Sequence, residues 1–228
     1  MVEERRTRRR PGNRAGLDAD RVLAAARDLA RQGGVEALTM RRLASALGVA
    51  PNALYSHYPD KSALLDAVLD SLLSEVDVTG AEDADWQAGL VRLMTASRQV
   101  LLDHAVLLPQ LMSRPMRGRN ASRLGEITLA LLERGGITGP NAVTALRSLL
   151  TYTFGSVVID APRLADPNPA QRTAESVAAF SARNELPRVA SLAEPLSRPP
   201  SDVDFEIGLR WLIDGMVKHP RRRTVPRR

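Results

Sequence analysis

Apolar residues recur every three or four positions along most of the chain, which is the spacing of one face of an α-helix. In the first third of the chain the apolar runs are short, and each is bounded by a capping residue, a glycine or a proline. They predict four helices: from Asp18 to the Gly33-Gly34 pair, Met40–Leu47 with Thr39 as N-cap, Pro51–His57, and a helix capped by Asp60 that carries Leu64 to Leu72. Ala50 is a weak N-cap for the third of these helices.

The rest of the chain shows the same helical period, and no segment has the alternating period of a strand. Further helices are predicted over Trp86 to Leu101, Leu124 to Leu132, Asn141 to about Asp160, and Asp202 to Lys218. The proline-rich residues 161–170 predict a break, and residues 187–200 predict a loop. The sequence therefore predicts an all-α protein.

The last predicted helix carries two apolar stripes. One stripe consists of Phe205, Leu209, Leu212 and Met216, and the other of Val203, Ile207 and Trp211. A helix on the surface of a single protomer needs only one apolar stripe. We therefore expect the second stripe to pack against a partner subunit, although a helix enclosed within one protomer would show the same pattern.

The charge of the chain is unevenly distributed. The net charge of +6 comes from the two ends, because residues 1–61 and 218–228 are basic while the segment between them is acidic. A basic end suggests contact with a polyanion, although a solvated tail has the same composition. Residues 1–16 are expected to form a disordered arm that either enters a DNA minor groove or remains a free tail, and its arginines are Arg5, Arg6, Arg8, Arg9, Arg10 and Arg14.

Composition also disfavours several classes of protein. The chain has no Cys, which excludes disulfides and thiolate metal sites. Its N-terminal segment lacks the apolar run of a secretory signal, and no run of about 18 apolar residues predicts a membrane span. We therefore expect a cytoplasmic protein with no membrane partner. Three His residues and no HExxH, GxSxG or glycine-rich phosphate loop predict that the protein is not an enzyme and has no metal or cofactor.

Residues 40–57 have the proportions of a helix-turn-helix, with an eight-residue helix, a three-residue turn that begins with Gly48, and a second helix. The outward face of the second helix carries small, amide, hydroxyl and imidazole groups, contributed by Pro51, Asn52, Ala53, Tyr55, Ser56 and His57. Such groups suit contact with DNA base edges and phosphates. Other roles stay open: Asn52 as a turn residue, His57 as a solvated helix end, and Tyr58 as half core.

The segment T-M-R-R-L-A-S-A-L-G-V-A-P-N-A-L-Y-S-H-Y-P-D-K-S-A-L-L, residues 39–65, resembles the DNA-binding signature of the TetR family of transcriptional repressors. The resemblance implies an N-terminal helix-turn-helix head at residues 17–66, an effector-binding and dimerisation domain at 67–219, and a basic tail at 220–228. It places Arg41, Pro51, Asn52, Ala53 and Ser56 at base-side positions, and Thr39, Tyr55, His57 and Lys61 at backbone positions. It implies a homodimer that binds a palindromic operator in double-stranded DNA.

The C-terminal half also resembles the tetracycline-repressor branch, through Arg114-Pro115 and through Phe205-Glu206-x-Gly208-Leu209 to Ile213-Asp214-Gly215. This resemblance implies a four-helix dimer bundle built from the 141–160 helix and the last helix, and an effector pocket. The expected interface residues are Leu146, Leu149, Phe205, Leu209, Trp211, Leu212 and Met216.

The expected effector pocket is apolar. Its candidate lining residues are Leu90, Met94, Leu101, His104, Leu108, Met112, Met116, Leu150 and Phe154, each of which is also compatible with a place in the core. No His stands just before the Arg114-Pro115 step, where tetracycline repressors hold the metal–drug complex, so a small hydrophobic effector is expected instead. The predicted function is a ligand-responsive repressor released by such an effector. The alternatives are an activator, or a regulator without an effector.

Overall fold

The structure is a computed structural model that describes residues 18–83, 85–199 and 201–218. The expectations for the N-terminal arginine arm and the basic tail fall outside these residues. Across the described part of the chain the regular structure is helical, with no strand. The helices are α1 Ala19–Ala37, α2 Met40–Leu47, α3 Pro51–Tyr55, α4 Lys61–Leu72, α5 Trp86–Asp103, α6 Leu108–Ser113, α7 Arg119–Arg134, α8 Gly139–Leu164, α9 Pro169–Ser181, α10 Pro187–Ser191, α11 Ala193–Ser197 and α12 Asp202–Lys218. The all-α prediction is confirmed.

The chain divides into two units, and the boundary between Leu64 and Leu65 falls within α4. In the N-terminal unit, α1 packs against α2 and α2 against α3. The unit buries Val22, Ala26, Ala30, Leu38, Leu43, Ala44 and Leu54. Apart from Leu38, which precedes the N-cap Thr39, these residues recur at helical spacing within the predicted helices.

Local capping chemistry sets the boundaries of the first helices. Gly33 and Gly34 both leave the helical conformation within α1, and Gly34 has a φ of 69° that suits a residue without a Cβ. The Thr39 hydroxyl oxygen accepts a hydrogen bond from the Arg42 N–H at 3.2 Å, which caps α2. Gly48 ends α2 in the left-handed region, with a φ of 68°.

The third helix ends at Tyr55, two residues before the predicted His57. The N–H groups of His57 and Tyr58 both bond to the Leu54 carbonyl, at 3.0 and 2.9 Å, so the chain closes in a turn. Pro59 then prevents the helix from resuming at Tyr58, because the residue before a proline is driven out of the helical region.

In the C-terminal unit, α5 packs against α7, α8 and α12, and the core lies among these four helices. Its buried side chains include Leu90, Leu93, Leu131, Leu149 and Leu209. Burial of a leucine stabilises a protein by about 1.5–3 kcal/mol relative to exposure, so this leucine-rich seam is the main source of cohesion in the unit.

A buried arginine ties the start of α12 to α5 and α8. The Arg98 guanidinium on α5 pairs with Asp160 of α8 at 2.9 Å and with Asp202 of α12, and it lies 5.1 Å from the centre of the Phe205 ring. Only 3% of the Arg98 side chain is exposed, so removing either carboxylate would leave a buried charge poorly compensated. The helical pattern of the sequence did not reveal this network.

The segment after Asp160 departs from the sequence expectations. α8 continues through Pro162 to Leu164. Pro162 has no N–H to donate to the Val158 carbonyl, but Val158 lies on the exposed side of the helix, where water can bond to that carbonyl instead. The predicted loop over residues 187–200 contains the short helices α10 and α11, and α9 was not predicted. Pro187 starts α10 at its first turn instead of breaking a helix. α9 and α10 bury no residue.

Among the described residues, α8 is the single helix long and apolar enough to cross a membrane by length and composition alone. In this fold it packs against α5, α7 and α12. Core helices of proteins that never meet a membrane share this composition.

Candidate nucleic-acid interface and effector cavity

The outward face of α3 is open to solvent. Leu54 is completely buried and anchors the helix, whereas Pro51, Asn52, Ser56 and His57 are exposed and Ala53 is half-buried. The Tyr55 side chain is 49% exposed although it is aromatic. Ala50 contributes no side-chain cap, and Pro51 occupies the first turn, where its missing N–H removes a donor that would otherwise need a partner. One leucine therefore anchors a helix whose other side chains are exposed, apart from the half-buried Ala53.

Three of the predicted DNA-contact residues also make bonds inside this unit. Thr39 is half-buried as the cap of α2, and the Ser56 hydroxyl donates to the Ala53 carbonyl at 2.7 Å. The Lys61 ammonium donates to the Val35 carbonyl at 3.1 Å and so holds the end of α1. Arg41 at the start of α2 is exposed.

Tyr58 is half-buried, in agreement with the sequence interpretation of this residue as half core. Burial raises the pKa of its hydroxyl, and the nearby Asp20 carboxylate raises it further. Its hydroxyl therefore stays neutral at ordinary pH.

The C-terminal unit contains a cavity of about 400 Å³ between the second half of α4, the end of α6 and the start of α7. Its apolar lining includes Leu69, Leu73, Leu111, Pro115 and Met116. This combination of concave shape and apolar walls, within the usual size range, is typical of small-molecule sites. We call it the effector cavity.

Charged groups border the effector cavity and tie its walls together. Arg114 pairs with Asp66 of α4 at 2.6 Å. The Asp70 carboxylate accepts hydrogen bonds from the N–H groups of Asn120 at 3.1 Å and Ala121 at 3.0 Å, and so caps the start of α7. A Cβ on Gly118 would overlap the Asp70 side chain, which explains the glycine at that position. α4 is therefore linked by two carboxylates to the segment that begins at Arg114.

The structure places one of the predicted effector residues, Met116, on this cavity. Leu90, Met94, Leu101 and Leu108 are buried in the unit, Leu150 and Phe154 are half-buried, and Met112 is 58% exposed. His104 is buried, with its Nε2 atom 2.9 Å from a Glu75 carboxylate oxygen, as expected of a structural histidine.

Asp66, Asp70 and Leu111 line the effector cavity but were not among the residues predicted to do so. The sequence contained a signal for the two aspartates. Asp66 and Asp70 are four residues apart and therefore share one face of α4, a helix that is otherwise rich in leucine. Among the described residues, no group of three or more His, Asp or Glu side chains is arranged to hold a metal ion.

Two segments of the chain match described families. Residues 22–68 match the family described as bacterial regulatory proteins, tetR family, and residues 79–219 match the tetracyclin repressor-like C-terminal domain. The chain belongs to the TetR family. It is a TetR-family transcriptional repressor with a DNA-binding helix-turn-helix and a ligand-binding C-terminal domain.

The alignments with similar proteins cover nearly the whole chain. The tetracycline repressor protein class A from transposon 1721 of Escherichia coli is 33% identical, over 92% of this chain and 94% of that protein. The HTH-type transcriptional repressor DrrR1 of Streptomyces coeruleorubidus is 31% identical, over 92% and 82%. The crystal structure of the TetR family protein ActR of Streptomyces coelicolor in complex with actinorhodin superposes with a TM-score of 0.80 at 28% identity, over 89% and 96%. By their names these relatives are regulators and not enzymes.

In this TetR-family protein, α8 and α12 leave apolar side chains uncovered. On α12, Val203 is 67% and Trp211 74% exposed, and Ile207 lies between them. On α8, Val143, Val158 and Ile159 are exposed. The other stripe of α12 is turned inward: Phe205 and Leu209 are buried, and Leu212 and Met216 are half-buried. On α8, Leu149 is buried and Leu146 is half-buried. Of the predicted interface residues, Trp211 offers the most free surface.

α8 and α12 approach each other closely beside this uncovered surface. The Tyr152 ring stacks on Phe205 with ring centres 5.2 Å apart, and the Tyr152 hydroxyl donates to the Phe205 carbonyl at 2.9 Å. A Cβ on Gly208 would overlap the Tyr152 hydroxyl oxygen. Gly208 is therefore required for the two helices to pack at this distance.

Proposed function

We propose that this protein is a homodimeric repressor that binds a palindromic DNA operator and is released by a small hydrophobic effector. Residues 17–66 form the DNA-binding domain in this proposal, and residues 67–219 bind the effector and form the dimer. The observation that carries it is α3, a short helix held by the buried Leu54, with Pro51, Asn52 and Tyr55 exposed to solvent. A helix presented in this way in a helix-turn-helix suits insertion into a major groove.

The chemistry of α3 supports separate roles for its side chains. Asn52 can bond bidentately to adenine, and Pro51 and Ala53 can contact a thymine methyl group. Arg41 and Ser56 complete the base-side set, whose members are all charged, polar or small. The phosphate and base groups of DNA offer partners for each member of this set.

The backbone contacts are proposed for Tyr55, His57, Thr39 and Lys61. Tyr55 is half-exposed although it is aromatic, which suits a hydroxyl that reaches a phosphate. Lys61 uses one donor for the Val35 carbonyl, and its ammonium group retains further donors for a phosphate.

The effector cavity is the proposed site of ligand control. An apolar molecule in this cavity would contact Leu69, Leu73, Leu111 and Met116, and would press on the Arg114–Asp66 pair at its border. Because Asp66 and Asp70 belong to α4, a change at this border displaces α4, and α4 begins with residues of the DNA-binding unit. Relatives named for tetracycline and solved with actinorhodin support a small organic effector.

The proposed dimer interface is the uncovered surface of α8 and α12. Exposed apolar patches on a protein surface mark interaction sites, and α8 and α12, which pack against each other, both carry exposed apolar side chains. A second copy that presents the same surface would form a four-helix bundle with two-fold symmetry.

Selection of bound DNA from a random pool tests the proposal directly, with the full-length protein as bait. Enrichment of a palindrome with two half-sites is expected, because each protomer contributes one α3. Enrichment of an asymmetric sequence, or of none, would refute the proposal. Compounds that raise the melting temperature of the wild type but not that of a Leu111→Arg variant identify effectors of the cavity.

A further inference from the structure

The C-terminal unit contains a second cavity, lined by the end of α8, by α9 and by the end of α11. It encloses about 260 Å³ and shares no lining residue with the effector cavity. Three arginines from separate parts of the chain line it, Arg163, Arg172 and Arg198, together with the apolar side chains of Phe180, Leu196 and Pro199. We call it the arginine cleft.

The arginine cleft has more positive than negative charge. Asp166 is its one lining carboxylate; it is paired with Arg172, and only 5% of the Asp166 side chain is exposed. A hydrogen bond from the Asn168 N–H lowers the pKa of Asp166 against the opposing effect of burial, and Arg172 lowers it further, so Asp166 stays charged at neutral pH. The Asp166 carboxylate therefore already has Arg172 as its ion-pair partner.

The other two arginines are available for a ligand. Arg163 has no ion-pair partner among the described residues. Arg198 lies 3.6 Å from an Asp204 carboxylate oxygen, and both side chains are more than half exposed. Exposed pairs of this kind contribute little, so a ligand can replace Asp204 as the partner of Arg198.

A purely structural role accounts for the arginines only in part. Arg163 lies in the last turn of α8, where a cation interacts favourably with the helix dipole. The pair of Arg172 and Asp166 joins the end of α8 to the start of α9. Neither effect requires Arg198 to line the same concavity, and like charges that share a cavity repel each other. Guanidinium groups beside an aromatic ring match a ligand that has a carboxylate at one end and a ring at the other.

We propose that the arginine cleft binds a small aromatic carboxylate, with its carboxylate between Arg163 and Arg198 and its ring against Phe180. The volume lies just below the usual range for drug-sized ligands, which limits the ligand to about one ring. Binding draws Arg198 away from Asp204 on α12, so the ligand acts on the helix that carries Trp211. This site is separate from the effector cavity and does not depend on the proposed effector.

Fluorine NMR with the full-length protein tests the arginine cleft, with para-fluorobenzoate as the probe and para-fluorobenzyl alcohol as its neutral match. The carboxylate signal is expected to broaden and shift on binding, and the alcohol signal to stay sharp. Arg163→Gln and Arg198→Gln should each weaken binding about tenfold, because each removes a charge-assisted contact. Both side chains are exposed, so these variants are expected to fold, which circular dichroism checks.

Two control variants locate the binding. Arg188→Gln on α10 removes an exposed arginine that does not line the cleft, and Arg117→Gln removes one from the effector cavity. Both should bind para-fluorobenzoate as the wild type does. The proposal is overturned if no broadening occurs up to about 10 mM probe, if the alcohol binds equally well, or if Arg163→Gln or Arg198→Gln keeps wild-type affinity. Loss of binding in Arg117→Gln would instead assign the anion to the effector cavity.

Discussion

Trp211 gives a quantitative test of the proposed α8–α12 interface, through the variant Trp211→Ser. The residue is 74% exposed in the protomer, and covering a large aromatic side chain removes about 150–250 Å² from water. About 150 Å² is therefore left to bury in each protomer, which is worth about 4 kcal/mol at 25 cal/mol per Å², or about 8 kcal/mol for a symmetric dimer. If only half of this area is covered, the dimer still loses about 4 kcal/mol. The dimer dissociation constant should then rise about 1000-fold.

Sedimentation equilibrium over a wide range of concentrations measures this change. Val106→Ser is the matched control, because Val106 is also an exposed apolar residue, 48% exposed, but lies in the turn between α5 and α6. The control should dimerise as the wild type does. A Trp211→Ser protein with the wild-type dissociation constant would show that this face of α12 does not form the interface.

Three further variants test the DNA-binding unit and the packing of α12. Asn52→Ala should cost about 1–3 kcal/mol at one base pair of each half-site and relax its preference in a selection from random DNA, and an unchanged preferred sequence would exclude base reading by Asn52. Lys61→Met should lower the free energy of unfolding by about 1–2 kcal/mol in urea, since it removes the charged donor from the Val35 carbonyl, which keeps only its bond from the Leu38 N–H. It should also reduce the salt slope of DNA binding by about one. An unchanged slope would limit Lys61 to its internal bond. Gly208→Ala should destabilise the protein by about 1–3 kcal/mol in thermal unfolding because its Cβ overlaps Tyr152, and the double variant with Tyr152→Phe should recover part of that loss.

The DNA-binding unit was predictable because its signals are local. Thr39, Gly48, Pro51 and Asp60 each act within four residues of their own positions, through a cap, a left-handed turn or a fixed φ. Two boundaries differ from the prediction. α1 resumes after the kink at Gly33-Gly34 and ends at Ala37, and α3 ends at Tyr55, where the Leu54 carbonyl accepts two hydrogen bonds that periodicity does not register.

The C-terminal unit was predictable as a set of long helices but not as a set of sites. The effector cavity joins Asp66 and Asp70 to Leu111 and Arg114, residues more than forty positions apart whose proximity depends on how α4, α6 and α7 pack. The bond between Lys61 and the Val35 carbonyl joins residues 26 positions apart. Neither the cavity nor this bond can be inferred from the spacing of residues along the sequence.

For this protein, the sequence by itself determined the all-α class, the helix-turn-helix and the presence of two apolar stripes on the last helix. These properties follow from short-range rules, namely helical period, capping and turn chemistry. Only the tertiary structure decided which stripe of α12 is buried, with Phe205 and Leu209 inward and Trp211 outward, and which residues line the two cavities. The physical reason is that burial depends on what a face packs against, and that partner lies elsewhere in the chain.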